Sequence, residues 1–171
     1  MQLCAKNKLR VVSLADHNSV RGCAEAAHQA MKEDIEFIPG IEIDCHINEV
    51  GLHLLGYGID IDDPFFTEIN QFMSKQEREL SQKFIDKVET LGIYLNHEEI
   101  WKMAINGIVT PEVIAEFALA HPNNANHEIL KDYRKDGKYG DNPFVNFYWN
   151  VCAPGKPAHV PMQLITLKEA V

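Results

Sequence analysis

The chain has 171 residues, of which 46% are hydrophobic and 24% charged, a composition typical of a globular protein that buries a core. Its 16 basic and 25 acidic residues give a net charge of −9, which disfavours binding to nucleic acid through phosphate neutralisation. No apolar run approaches the roughly 18 to 20 residues of a membrane span, and the N-terminus lacks the apolar core of a secretory signal. We therefore predict a cytoplasmic protein with no membrane partner and no stable nucleic-acid complex. A phosphorylated substrate would need metal ions to offset its charge.

The four cysteines do not form a recognisable cysteine motif. Cys4, Cys23, Cys45 and Cys152 have no CxxC spacing, so neither a zinc knuckle nor a thioredoxin-type site is indicated. We expect free thiols that behave as small buried hydrophobic side chains.

The first third of the chain has the pattern of an α/β fold. Residues 9–15 form a short apolar run that predicts a buried strand, and Ser19 is predicted to cap a following helix. Residues 35–43 predict a second strand, so this segment is a βαβ unit with a parallel sheet. Residues 52–59 predict a third strand after the polar loop 48–51.

The pattern becomes helical after residue 61. Apolar residues recur at helical spacing for about 27 residues, up to Gly92. Two further helices are predicted to start near Asn96 and Thr110, where capping residues precede apolar residues. We therefore predict an α/β domain at 1–61 and a mainly helical insertion subdomain at 62–165.

The chain ends give a further expectation. Thr166 and Glu169 have the spacing of a capping box, which predicts that 166–171 begin another helix. Two or three parallel strands are too few to cover both faces of a sheet. We therefore expect a chain that is truncated at both ends.

Two imidazoles and a carboxylate lie next to the ends of predicted strands. Asp16 and His17 follow the first strand, Glu42 lies toward the end of the second, and His53 begins the third. In α/β sheets, ligands gather at the carboxyl ends of the strands, so His17 and Glu42 are expected to converge. Two histidines and one glutamate are a competent ligand set for zinc, manganese or iron. From residue types alone, a capping or core-edge role stays open for each of them.

Three segments in this order resemble the PHP (polymerase and histidinol phosphatase) superfamily of metal-dependent phosphoesterases. They are SLADHNSVRG at 13–22, FIPGIEI at 37–43 and HLLGYGID at 53–60. The resemblance implies a distorted (β/α)7 barrel with two or three divalent metal ions. It also implies that His17 and His53 are metal ligands, that Glu42 is a bridging ligand, and that Asp16 orients His17 rather than binding metal.

Parts of the family pattern are missing from this chain. Asn18 stands where an acidic residue is more usual, which weakens any supporting role at that position. The family's opening His-x-His, its later His-Pro and its closing Asp-x-His have no counterpart, and His121-Pro122 follows a predicted helix instead of a strand. The resemblance therefore implies a parent enzyme that hydrolyses phosphate esters, such as nucleotides or short oligonucleotides, with the isolated chain inactive or weak. The alternative is a non-catalytic binding module that forms homo-oligomers through exposed sheet edges.

The pairing of the second and third strands decides whether Glu42 and His53 can bind the same metal ion. A tight hairpin about Glu49-Val50 would place His46 opposite His53 and leave Glu42 about 13 Å away along the strand. For Glu42 and His53 to share a metal site, a wide, irregular loop across 44–51 must bring Glu42 level with His53. The family resemblance predicts that loop.

Overall fold

The computed structural model describes residues 1–48 and 50–171. These form two compact units, one of residues 1–73 with 163–171 and one of residues 74–162. In chain order the helices and strands are α1 (Gln2–Lys6), β1 (Val11–Leu14), α2 (Cys23–Lys32), β2 (Glu36–Ile47), β3 (Val50–Tyr57), α3 (Pro64–Glu89), α4 (His97–Lys102), α5 (Pro111–Ala120), α6 (Glu128–Lys131), α7 (Pro143–Phe147), β4 (Ile165–Thr166) and α8 (Leu167–Ala170). A 3-10 turn covers Pro122–Asn124, and a π-helical turn covers Tyr148–Cys152.

A four-stranded mixed sheet organises the first unit. β1 and β2 pair in parallel across α2, which confirms the predicted βαβ unit. β3 runs antiparallel to β2, and the short β4 pairs in parallel with β2 at Cys45 and His46. The α/β class is therefore confirmed. In the described part of the chain the sheet is open, and a closed (β/α)7 barrel stays a prediction.

The β2–β3 hairpin corrects the predicted loop across 44–51. The strands pair as far as Ile47 and Val50, and Asn48 begins the turn in a left-handed conformation with φ of 47°. Asparagine tolerates this conformation, which suits a two-residue hairpin. The wide loop is therefore wrong, and Glu49 lies outside the described residues.

The register of this hairpin also differs from that of a tight hairpin about Glu49-Val50. Asp44, and not His46, lies opposite His53, while His46 lies opposite Gly51. The turn is centred one residue earlier than about Glu49-Val50, which shifts every cross-strand partner by two positions. Glu42 consequently lies only two residues from the partner of His53.

The alternation of β2 separates a core face from a polar face. Ile41, Ile43 and Cys45 are at most 3% exposed and form the centre of the first unit's core. The partly buried side chains around them are Val20, Leu52, Leu54, Ile59, Phe65, Phe66, Ile165, Leu167 and Ala170. Because strand side chains alternate, Glu42, Asp44 and His46 lie on the opposite face.

Gly40 marks the point where β2 changes partners from β1 to β3. A Cβ atom at this position would lie 2.6 Å from Ser13 Oγ and 3.2 Å from the Gly56 carbonyl oxygen. Only glycine allows the backbones to approach this closely. Close packing here holds the end of β1, and hence His17, next to β2.

Two sequence predictions about helix starts have different outcomes. The Thr166–Glu169 capping box is confirmed, with the Thr166 side chain and the Glu169 carboxylate each bonding the other's backbone N–H. Ser19 does not cap α2, whose N-cap is Gly22. An Asp16–Ser19 bridge turns the chain first, and Ser19 Oγ accepts a hydrogen bond from Arg21 N instead.

The boundary between the units lies within α3 and not at residue 61. Phe65 and Phe66 in the first turn of α3 pack on the sheet core, and Ile69 and Met73 are buried. The change from strand to helical periodicity therefore marks the start of a helix and not the edge of a domain. The segment 166–171 belongs to the first unit, where α8 packs beside β2.

The second unit is helical and has its own core. Asn96 caps α4 and Thr110 caps α5, as predicted, each accepting a backbone hydrogen bond three residues ahead. The core includes Ile85, Val88, Ile93, Leu95, Ile100, Val109, Ile114, Ala115, Phe117, Ala118, Leu130, Tyr133, Phe147, Val151, Cys152 and Ala158. In the part of the chain described, no helix combines the length and the apolar character needed to cross a membrane.

All four cysteines are free thiols, as predicted. Cys23, Cys45 and Cys152 are buried, whereas Cys4 is partly exposed. Burial, with a contribution from Glu112, raises the pKa of the Cys152 thiol to about 12, so this group stays neutral and unreactive near neutral pH.

Candidate metal centre

The site lies on the polar face of the sheet in the first unit. His17 follows β1 and forms a parallel bridge with Glu42, while the Asn18 backbone N–H donates to the Glu42 carbonyl oxygen at 2.7 Å. His53 lies on β3 and faces Asp44 across the hairpin. Thus β2 supplies two carboxylates. The segment after β1 supplies one imidazole, and β3 supplies the other.

The side chains of these four residues converge. His53 Nδ1 lies 2.5 Å from Glu42 Oε1 and 3.5 Å from Asp44 Oδ1. His17 Nδ1 lies 2.9 Å from Asp44 Oδ1, and its Nε2 lies 3.5 Å from Glu42 Oε1. The two rings stand almost perpendicular, with centroids 5.0 Å apart. The structure therefore brings together His17 and Glu42, as the sequence predicted, and places His53 beside them without the wide loop that the shared site was expected to require.

Diagonal pairing on the hairpin explains how Glu42 reaches His53. The directly opposite partner of Glu42 is Leu55, two residues beyond His53 on the same face of β3. Diagonal cross-strand neighbours are about 7 to 8 Å apart at the backbone, which a glutamate and a histidine side chain can span together. A tight hairpin and a shared site are therefore compatible in this register.

The site is open to solvent on the imidazole side. The His17 and His53 side chains are each 54% exposed, whereas those of Glu42 and Asp44 are 25% and 20% exposed. The carboxylates thus form the floor of the site and the imidazoles its rim. A ligand can reach all four side chains.

Sequence reasoning missed Asp44. The signal was present, because Glu42, Asp44 and His46 alternate with the buried Ile41, Ile43 and Cys45. Alternation at period two puts every second residue on one face, so the residue two places from a candidate ligand shares its face. The three segments that resemble the family include Glu42 but not Asp44.

Asp16 lies differently from the other candidates. Its backbone oxygen accepts a hydrogen bond from Glu42 N at 3.1 Å, and its carboxylate lies beside Gly22. In the described chain, the carboxylates in contact with the His17 ring belong to Asp44 and Glu42. An orienting role for the Asp16 side chain stays a prediction.

The donor set fits a divalent metal ion. Two ligand atoms each about 2.1 Å from one ion, at a tetrahedral angle, lie roughly 3.4 Å apart. The pair His17 Nε2 and Glu42 Oε1 and the pair His53 Nδ1 and Asp44 Oδ1 are both separated by 3.5 Å. Imidazole nitrogen with carboxylate oxygen suits manganese, iron and zinc alike. Two other pairs are closer, with 2.5 Å between His53 Nδ1 and Glu42 Oε1 and 2.9 Å between His17 Nδ1 and Asp44 Oδ1, so these side chains must separate to admit an ion.

A second cluster, in the helical unit, has a metal-free explanation. Asp86, Glu89 and His97 lie close enough to share an ion, but His97 Nε2 already contacts Glu89 at 3.0 Å. Gln82 Nε2 contacts both Asp86 and His97, and Gln82 Oε1 accepts from Trp101 Nε1. These mutual hydrogen bonds join α3 to α4 and account for the cluster.

Comparisons with known proteins find a phosphatase and exoribonucleases among the relatives. The chain is 28% identical over 142 residues to a 5'-3' exoribonuclease of Haemophilus influenzae, covering 82% of the chain and 50% of that protein. It is 25% identical over 161 residues to a 3',5'-nucleoside bisphosphate phosphatase of Chromobacterium violaceum, covering 94% of the chain and 51% of that protein. It is 24% identical over 169 residues to the 5'-3' exoribonuclease Rnm of Escherichia coli, covering 96% and 52%. No protein-family model matches the chain.

Two solved structures share the fold. One is an amidohydrolase from Chromobacterium violaceum with bound sulfate and no metal, with a TM-score of 0.69, 22% identity, and coverage of 98% of this chain and 54% of that one. The other is described as a metal-dependent phosphoesterase from Bifidobacterium adolescentis, with a TM-score of 0.67, 15% identity, and coverage of 99% and 54%. The chain is thus similar in sequence to a phosphatase and to exoribonucleases, and it shares its fold with a metal-dependent phosphoesterase, in agreement with the resemblance to PHP-type phosphoesterases. It spans about half the length of the curated relatives it matches.

Proposed function

We propose that the chain supplies metal-binding residues of a phosphoesterase that hydrolyses phosphate esters of nucleotides or short oligonucleotides. The observation that carries the proposal is the convergence of His17, Glu42 and His53 on one open face of the sheet. A divalent ion bound there supplies a Lewis acid for a phosphoryl oxygen and lowers the pKa of a bound water. Manganese, zinc and iron all suit this donor set.

In this proposal, the residues of the chain hold and orient the ion and leave the site accessible. Glu42 lies within 3.5 Å of a nitrogen of each imidazole, which agrees with the bridging role that the family resemblance implies for its carboxylate. The half-exposed rings leave room for a phosphate on the solvent side. Because the chain carries a net charge of −9, an ion is also needed to make the site attractive to a phosphate.

The names of the relatives support the substrate class. One acts on a 3',5'-nucleoside bisphosphate, and two are 5'-3' exoribonucleases. A nucleoside bisphosphate and the 5' end of an oligoribonucleotide share a phosphate ester on a ribose. A distorted (β/α)7 barrel and a cytoplasmic location stay predictions.

A metal titration with a parallel hydrolysis assay tests the proposal. We expect saturable Mn²⁺ or Zn²⁺ binding by calorimetry. We also expect slow release of phosphate from a nucleoside 3',5'-bisphosphate, or shortening of a 5'-phosphorylated oligoribonucleotide, that stops when EDTA is added. Absence of saturable metal binding would contradict the proposal. Metal binding without turnover would agree with the expectation that the isolated chain is inactive or weak, and rapid turnover would contradict that expectation.

One observation favours a second candidate, a non-catalytic module that forms homo-oligomers. Val11, Leu55 and Tyr57 are 48%, 51% and 59% exposed and lie on the same face of the sheet as the metal site. Exposed apolar side chains on a sheet face favour association with another polypeptide. Light scattering should then show a dimer or larger species, and a monomer at all concentrations would remove this candidate.

A further inference from the structure

We propose that Asp44 is a direct metal ligand at this site and that Asn18 holds its carboxylate in the ligating position. This inference rests on the proposed function, because it assumes that the face of β2 carrying Glu42 binds a divalent ion. It adds a second carboxylate to the ligand set implied by the family resemblance.

The Asp44 carboxylate lies between the two imidazoles. Its Oδ1 atom lies 2.9 Å from His17 Nδ1 and 3.5 Å from His53 Nδ1, so it is aimed between the two imidazoles. Suitable ligand atoms of His17, Asp44 and His53 all lie within 4.8 Å of one another. The Asp44 side chain is also less exposed than either imidazole, at 20% against 54%. A carboxylate at the floor of a cluster of imidazoles is placed to bind the same ion as they do.

Asn18 fixes the position of Asp44 through two hydrogen bonds. The Asn18 side chain is polar yet only 4% exposed, and its backbone is left-handed with φ of 52°. Its amide nitrogen donates to Asp44 Oδ2 at 2.8 Å, while its amide oxygen accepts from Asp44 N at 2.9 Å. Asn18 therefore fixes the backbone and one carboxylate oxygen of Asp44. The other oxygen, Oδ1, stays directed at the imidazoles.

The chemistry of the amide explains why asparagine occupies position 18. An ionised aspartate offers only acceptors, so it could not donate to the Asp44 carboxylate and would repel it. An acidic residue at 18 and an acidic residue at 44 are thus alternatives. In this chain the negative charge sits at 44, where it faces the histidines, and the amide at 18 supports it.

A cobalt experiment separates direct ligation from a purely supporting role. In Asp44→Cys, the thiolate should bind Co²⁺ and produce a sulfur-to-cobalt charge-transfer band in the near ultraviolet. The matched control is His46→Cys, which lies two residues along the same face of β2, opposite Gly51, and should give no new band. The wild-type spectrum sets the baseline for the four native thiols.

A second variant keeps the test independent of how well the cysteine variant folds. Asp44→Asn preserves the shape of the side chain and removes its charge, and we expect Mn²⁺ affinity measured by calorimetry to fall by more than about 100-fold, beyond the cost of losing a merely supporting residue. Asn18→Asp should also weaken binding, since it places a second carboxylate against Asp44.

The outcomes distinguish this inference from the proposed function. If the wild-type chain binds Mn²⁺ but Asp44→Asn binds it equally well and Asp44→Cys gives no band, Asp44 is not a ligand and the proposed function stands. If the wild-type chain binds neither Mn²⁺ nor Co²⁺, both proposals are wrong.

Discussion

Replacing Glu42 by glutamine is expected to lower Mn²⁺ affinity about 100-fold, or roughly 2.7 kcal/mol, and to lower any metal-dependent hydrolysis by at least the same factor. Glu42 Oε1 lies 2.5 Å from His53 Nδ1 and 3.5 Å from His17 Nε2, so this carboxylate, like that of Asp44, is in contact range of both predicted imidazole ligands. Glutamine keeps the size of the side chain but removes its charge. Loss of residues that merely support metal ligands already costs 10- to 100-fold, and a direct ligand should reach the upper end.

Glu36→Gln provides the matched control. Glu36 lies on the same strand and, by alternation, on the same face, but it is exposed and pairs with Val11 at the far end of the β1 ladder. Its neutralisation changes the net charge by the same amount without touching the site. Calorimetry should show unchanged affinity for Glu36→Gln. If Glu42→Gln also binds Mn²⁺ within threefold of the wild type, Glu42 is not a ligand.

The sequence predicted the elements of the site better than the pairing between them. The βαβ unit and the third strand follow from apolar runs and the residues that interrupt them. These are local signals, because each depends on a few neighbouring side chains. The prediction that Glu42 lies toward the end of the second strand is wrong, because β2 continues to Ile47. The register of the hairpin is not local, since it depends on which residues form the turn.

Register is the reason that the candidate site was only partly predicted. Centring the turn one residue earlier moves the partner of His53 from His46 to Asp44, which adds a carboxylate to the site. Asn48 was the available signal, as asparagine accepts the left-handed conformation found there. Asn18 could not be interpreted for a related reason: its partner, Asp44, lies 26 positions away in the sequence.

The boundary between the two units was missed for a different physical reason. A continuous helix gives one continuous periodicity, and α3 runs from Pro64 to Glu89 without a break. Its first turns contribute Phe65 and Phe66 to the sheet core, whereas Ile85 and Val88 belong to the core of the helical unit. Periodicity reports that a helix is amphipathic but not which core each turn contacts.

Replacing Asn124 by alanine is expected to destabilise the helical unit by about 3 kcal/mol, the largest effect on stability that we predict. Asn124 is only 1% exposed, and its amide oxygen accepts from Tyr94 N at 2.8 Å. Its amide nitrogen donates to the carbonyl oxygens of Tyr94 and Ala118 at 2.9 and 3.0 Å. Alanine would leave these three backbone groups without their partner, and buried groups that lose a partner cost roughly 1 to 3 kcal/mol each.

Urea unfolding of the two neighbouring asparagine variants makes this prediction specific. Asn123 is exposed and its backbone N–H, which alanine keeps, donates to His121 Nδ1, so Asn123→Ala should unfold within about 0.5 kcal/mol of the wild type. Asn124→Ala should unfold at a clearly lower urea concentration with a similar m-value. Equal midpoints for the two variants would show that water or backbone movement satisfies the three groups. Because Asn124 joins the segment before α4 to the end of α5, its loss should loosen that connection and leave the sheet that carries Glu42 and His53 unchanged.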